Sequence, residues 1–328
     1  MKAFCAVQAR RIAAGIFLGL CAASASAQTG YPSRPIRLVV PWPPGQATDL
    51  SARLVAQKLS ESLGQPLVVD NRPGAGGVIG SDAVAKSAPD GYTLLAGSSG
   101  PISINPIVQK VPYDPEQAFA PVSLIATVPY VLVANPAFPA AGIREFIANA
   151  RANPDKYTFA SSGTGATGHL VAELFNSMAG IRATHIPYKG SVPAITDLLN
   201  GNVTYAFETL AATAGHVKSG RLKAYGISSA RRNDALPEVA PVHESADLPG
   251  FEVVAWIGYL APAGTPAETR ARLAAEVRKA VQAGDLRERY AALGMDPVSS
   301  SPEDLGALLK REHERYAAIV KKANIRID

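Results

Sequence analysis

Cysteine is almost missing from this chain. Among 328 residues there are two, Cys5 and Cys21, both near the start. Beyond residue 27 the chain therefore has no disulfide staple and no thiol chemistry. Charge is also sparse, at 18% of residues, and no basic cluster interleaved with aromatics occurs, which removes the footprint of a nucleic-acid binder. No run of about 18 uninterrupted apolar residues follows the leader, so no membrane span is predicted. Heptads, fixed-period repeats and a Gly-X-Y period are all absent, which excludes coiled coil, solenoid and collagen. The apolar fraction of 47% is too high for a disordered chain. What remains is a globular protein long enough for two units of about 100–200 residues.

The first 27 residues read as a secretory signal peptide. Lys2, Arg10 and Arg11 make a positive start, residues 12–21 are apolar, and Ala25, Ser26 and Ala27 form a small-x-small cleavage site. The apolar stretch is short for a membrane anchor. Leu20 precedes Cys21 where lipidation prefers a small residue, so a lipid anchor is disfavoured. Cleavage removes three basic residues and no acidic one, leaving 29 basic against 27 acidic. The expectation is a soluble periplasmic protein with little net charge.

The remainder alternates strands and helices. Short β-branched runs at 36–40, 66–69 and 92–96 are separated by helical spacing over 48–63 and 78–86. A second cycle has strands at 130–134, 157–161, 184–187, 203–207 and 222–227, with helices over 143–153, 169–179 and 192–200. A long apolar strand at 251–260 and two helices, 267–283 and 302–324, finish the chain. This order predicts an α/β fold of two lobes, each a doubly wound and mostly parallel sheet. The closing helices lack strands of their own, so they are placed back on the first unit. The chain then crosses twice, near 125–129 and 251–256. The division is residues 28–126 with 254–328 as one lobe and 127–253 as the other, joined by two hinge strands around a cleft.

Ligands in such folds meet the carboxyl ends of strands, where loops enter helix N-termini. Four loops qualify: 42–48, 71–77, 97–105 and 161–168, all rich in Gly, Ser, Thr or Pro. Glycine lets backbone N–H groups approach a ligand, and free N–H groups with the helix dipole attract anions. Four such loops on both lobes predict an anion-binding cleft. Gly163, Gly165 and Gly168 fit G-x-G-x-x-G, but Tyr188 and Lys189 stand where a ribose-binding acid belongs, so nucleotide binding is not expected. No G-x-S-x-G elbow and no H-E-x-x-H or H-x-x-x-H pair occurs, so neither catalysis nor a metal has a local signature. His169 reads as a first-turn residue making local hydrogen bonds. Lys189 and Arg72 are either cleft cations or solvated. Glu208, at a strand end, faces either a ligand cation or water.

Several motifs resemble one family in order along the whole chain. They are 35–49 (PIRLVVPWPPGQATD), 71–77 (NRPGAGG), 88–94 (APDGYTL), 105–106 (NP), 112–115 (PYDP), 161–165 (SSGTG), 169–170 (HL), 187–190 (PYKG), 197–201 (DLLNG) and 261–266 (APAGTP). The set resembles Bug-type receptors, the extracytoplasmic substrate-binding proteins of tripartite tricarboxylate transport systems. The resemblance implies a type II periplasmic binding fold that closes on a small carboxylate held largely by backbone amides and water. It implies no cofactor, no metal, no catalysis, and a monomer that hands its ligand to transporter membrane subunits. The ligand-binding positions it implies, with Trp42 of the first loop added, are Trp42, Pro43, Pro44, Gly45, Gln46, Ala47 and Thr48; Ser98, Ser99 and Gly100; Ser161, Ser162, Gly163, Thr164, Gly165 and Thr167; and Tyr188, Lys189 and Gly190. Glu208 joins them as a strand-end candidate. The chain departs from the family pattern at Gln46, in place of a second glycine, at Val78, where a polar residue is frequent, and at Thr204 and Glu208, which are often aspartate. A secreted enzyme acting on a small acid, or a sensor for a signalling ectodomain, are the alternative readings.

Overall fold

Ten strands and eleven α-helices are ordered along a computed structural model that describes residues 30–322. The signal-peptide reading, 1–27, lies outside the described residues, as do the last residues of the helix predicted to reach 324. Strand β1 (Ile36–Val40) is buried almost throughout, as its unbroken β-branched run requires. It lies between β2 (Leu67–Asn71) and β3 (Thr93–Ser98), parallel to both. Helix α1 (Ala47–Leu63) and helix α2 (Val78–Ala85) are the crossovers. Helix α1 buries Ala52, Val55, Ala56, Leu59 and Leu63 at helical spacing, and Gly64 ends it in the left-handed conformation.

The longest strand, β4 (Phe119–Ala134), belongs to two sheets. Its first part pairs antiparallel with β9 (Val254–Pro262), which pairs antiparallel with β3. Its last five residues pair with β7 (Tyr205–Thr209), and most of them also with β8 (Lys223–Ile227). Strand β5 (Thr158–Ser161) lies parallel between β6 (Thr184–Pro187) and β7. The order β2-β1-β3-β9-β4-β7-β5-β6 thus runs from one sheet into the other through β4. The parallel pairs come from the βα crossovers, and the antiparallel ones come from β4 and β9.

The second sheet is flanked by α4 (Ile143–Ala152), α5 (Thr167–Ala179), α6 (Ser191–Leu199) and α7 (Leu210–Lys218). One core packs Val131, Val133, Leu198 and Leu210; another packs Val39, Leu95, Trp256 and Leu260. Several elements differ from the sequence reading. The strand predicted at 130–134 begins at Phe119 and is sixteen residues long; Pro121 and Pro129 interrupt the stretch before Tyr130 and mask its apolar run. Residues Gly100–Ile104 form a π-type turn leading into α3 (Asn105–Val108). Helix α8 (Val242–Ser245) is a single turn. Between α9 (Ala267–Gln282) and α11 (Pro302–Lys322) stand a further helix, α10 (Gly284–Ala292), and a two-residue strand, β10 (Asp296–Pro297), on β4. The C-terminal helices pack on the first sheet's strands, as the topology requires.

Candidate functional site

The loop after β1 is built as a rigid wall. Asp49, 2% exposed, accepts from the Gly45 N–H at 2.9 Å, from Asn71 Nδ2 at 2.8 Å and from Arg53 Nε at 3.0 Å. Asn71 also donates to the Trp42 carbonyl at 3.0 Å, so β2 anchors both ends of the turn. These partners hold the Asp49 carboxyl below the usual range against the opposing effect of burial. Trp42 Nε1 donates to Ser98 Oγ at 3.0 Å, tying this loop to the end of β3, and Ser99 Oγ accepts from the Trp256 N–H at 3.0 Å. Gln46 is the N-cap residue of α1 but does not cap it with its side chain. The helix opens at Ala47, one residue before the predicted start, so Thr48 lies inside the first turn.

The opposite wall comes from the second sheet. Ser161 Oγ lies 2.7 Å from His185 Nε2, and the Gly165 N–H donates to His169 Nδ1 at 3.3 Å. The two imidazoles stack with centroids 3.7 Å apart. His169 thus makes the local hydrogen bond expected of it. Burial, with His169 adding to it, pushes His185 down to about 3. The walls touch through glycine. A Cβ on Gly165 (φ +73°) would sit 1.7 Å from Asn105 Oδ1, and one on Gly190 (φ +118°) would sit 2.8 Å from Gln46 Nε2. Only glycine permits these approaches.

Between the walls lies a cavity of about 30 Å³, lined by Trp42, Gln46, Ala47, Thr48, Ser98, Val128, Tyr130, Ser162, Thr167, Ser191, Glu208, Thr209, Ala255 and Ile257. That volume holds a water molecule or two, so the cleft is closed. Its floor is the pair β4 and β9. Four helices open onto it: α1 through Ala47 and Thr48, α5 through Thr167, α6 through Ser191, and α7 through its N-cap Thr209. First-turn N–H groups have no carbonyl within their own helix, and the dipoles add positive potential. Three buried polar atoms on the cavity have no hydrogen-bond partner: Gln46 Nε2, Glu208 Oε1 and Thr209 Oγ1. Glu208 is 1% exposed; Ser191 Oγ donates to its Oε2 at 2.8 Å. Burial pushes its carboxyl up to about 7, with Ser191 and the Thr209 N–H opposing.

Eight of the residues singled out in the sequence therefore line one cavity: Trp42, Gln46, Ala47, Thr48, Ser98, Ser162, Thr167 and Glu208. Pro43, Pro44, Gly45, Ser99, Gly100, Ser161, Gly163, Thr164, Gly165 and Gly190 shape the loops around it without lining it. Tyr188 points its hydroxyl to Asp197 Oδ2 at 2.6 Å, and Lys189 is exposed off the cavity. Arg72 pairs with Asp70 at 2.9 Å on the surface. Sequence reasoning missed Tyr130, Ser191 and Thr209. Ser191 directly follows the Gly190 turn and Thr209 is the last residue of β7, so the strand-end rule carried a little further finds both. Tyr130 lies inside a strand and had no such signal. A larger and more open depression of about 710 Å³ lies beside the hinge, with Arg231, Arg232 and Arg287 among Asp234, Glu252 and Glu288. It holds no buried unpartnered polar atom among the described residues, so the smaller cavity is the candidate site.

The family described as tripartite tricarboxylate transporter family receptor matches residues 51–325. The chain belongs to this family. The receptor family is similar to this chain along its length: BugT of Bordetella pertussis is 40% identical over 95% of this chain and 97% of its own. A solved Rhodopseudomonas palustris protein with adipate is 35% identical, with a TM-score of 0.87 over 90% of this chain and 99% of that one. MatC from Rhodopseudomonas palustris, solved with bound malate, is 32% identical, with a TM-score of 0.83 over 88% and 100%. This tripartite tricarboxylate receptor therefore has the two-lobed periplasmic binding protein fold that the resemblance implies. Among the described residues no helix is long and apolar enough to cross a membrane.

Proposed function

We propose that this receptor captures a small organic acid in the cleft whose walls meet around this cavity and delivers it to the membrane subunits of a tripartite tricarboxylate transporter. The observation that carries this reading is the convergence of four helix N-termini on one small cavity, with no fixed cation in its lining. Amide N–H groups and hydroxyls there suit a carboxylate. The adipate and malate in the two similar structures support the same ligand class. The moving bodies are residues 28–126 with 254–328 and residues 127–253, hinged where β4 and β9 form the cavity floor. A ligand that touches both walls favours the closed state by its differential contacts. The protein works in the periplasm as a monomer after removal of residues 1–27, and it binds without turnover.

The test is calorimetric titration of the mature chain with succinate, malate, glutarate, adipate, acetate, aspartate and glutamate. Saturable one-to-one binding of at least one acid, with no product formed, is expected. Absence of binding across the series overturns the carboxylate reading, and conversion of a bound acid favours an enzyme instead.

A further inference from the structure

Glu208 is an anomaly in a pocket shaped for an anion. It is the acidic side chain among the cavity-lining residues, nearly fully buried, and its Oε1 has no hydrogen-bond partner. The charged and titratable groups near it are committed elsewhere. On α1, Asp49 is held by Arg53, Asn71 and the Gly45 N–H. On α5, His169 is turned to Gly165 and His185. From β4 the facing group is the Tyr130 phenol, neutral and hydrogen-bonded to Thr167. From α6 it is the Ser191 hydroxyl, while β9 brings the apolar Ala255 and Ile257. Among the described residues, no cationic side chain lines the cavity with Glu208.

Two carboxylates cannot both stay ionised side by side in a buried site without a counter-charge. One of two things must neutralise the pair: a proton on Glu208, or an ammonium on the ligand. An ammonium would have to lie among four positively polarised helix ends. The other unpartnered atoms, Gln46 Nε2 and Thr209 Oγ1, also donate hydrogen bonds, as an acid acceptor needs. We infer that Glu208 meets the ligand as a neutral acid, so a ligand carboxylate enters together with one proton, and an acid lacking an ammonium group is selected over an amino acid. The proton comes from solvent onto Oε1, and the resulting O–H donates to a ligand oxygen. This inference rests on the carboxylate reading above and adds the proton to it. Its raised affinity for a proton in the empty protein, set by burial, is consistent with that role.

The test uses the wild-type mature chain between pH 6 and 9; above pH 7 the dicarboxylate probes are essentially fully ionised. Titration of succinate, malate, glutarate and adipate in two buffers of different ionisation enthalpy reads proton uptake directly. Expected are uptake approaching one proton per ligand at pH 8.5 and an affinity falling about tenfold per pH unit above pH 7–8. In E208Q the ratio of affinities at pH 6 and pH 8.5 stays within about threefold. Binding of a dicarboxylate with no proton uptake and no pH dependence overturns the inference while leaving the carboxylate reading intact. Aspartate or glutamate binding more tightly as pH rises, and lost in E208Q, overturns it in favour of an ammonium partner. If no acid binds at any pH, the carboxylate reading fails first and this inference with it.

Discussion

The two walls of the cleft are built by opposite strategies. On the first-sheet side, Trp42, Asp49, Asn71 and Ser98 satisfy one another, so the loop is fixed before any ligand arrives and leaves the Gln46 amide as its one unpartnered atom on the cavity among the described residues. On the second-sheet side, Glu208 and Thr209 keep unpartnered atoms on the cavity, and two stacked histidines lie behind the 161–168 loop. A prearranged wall loses little freedom on binding, which suits the part of the ligand common to many acids. The wall with unpartnered and titratable groups is where ligands are told apart, because a buried polar atom left unmatched costs more than a lost apolar contact.

That contrast can be broken in order of effect. The largest is electrostatic. Glu208 has its folded-state value at about 7, above an ordinary 4.5, so the folded protein takes up its proton between those values. Its contribution to stability is then full below pH 4.5 and is lost as pH rises to 7. The stability of E208Q relative to wild type should therefore grow by about 3 kcal/mol from pH 4.5 to 7 in urea titrations. Parallel curves would show that Glu208 is ionised in both states. His185 acts with the opposite sign: lowered to about 3, it holds its full contribution above pH 6.5 and loses it as pH falls toward 3.

Next comes the rigid wall. Asp49→Ala removes hydrogen bonds to a charged group and should cost about 2 kcal/mol in thermal or urea unfolding. An unchanged midpoint would mean that the loop does not depend on this carboxylate. The third test strikes the contact between walls. Gly165→Ala forces a Cβ against Asn105 Oδ1 at a positive φ. The open form should remain folded while affinity falls about tenfold or more, the cost of one such strain. Small-angle scattering with ligand should show the variant failing to compact. The smallest effect is Trp42→Phe, which deletes the bond to Ser98 and should cost about 1 kcal/mol of stability.

Much of the fold was legible because periodicity reports burial. Strand β1 and helix α1 carry their apolar residues where a buried strand and an amphipathic helix need them. The double membership of β4 was not legible, since Pro121 and Pro129 break its pattern and it is pairing with β9, β10, β7 and β8 that holds it extended. The strand-end loops pointed to Trp42, Gln46, Ser98, Ser162 and Thr167, which do meet. Tyr130 joins them only because β4 passes beneath the cavity.

Local residue chemistry by itself settled that this is an α/β chain with amide-rich turns at its strand ends, because glycine, threonine and β-branched runs act over a few neighbouring positions. Only the tertiary structure decided that four helix ends share one enclosure and that Glu208 stands among them without a cation. Burial and like-charge proximity are properties of distant segments brought together, and no local pattern encodes them.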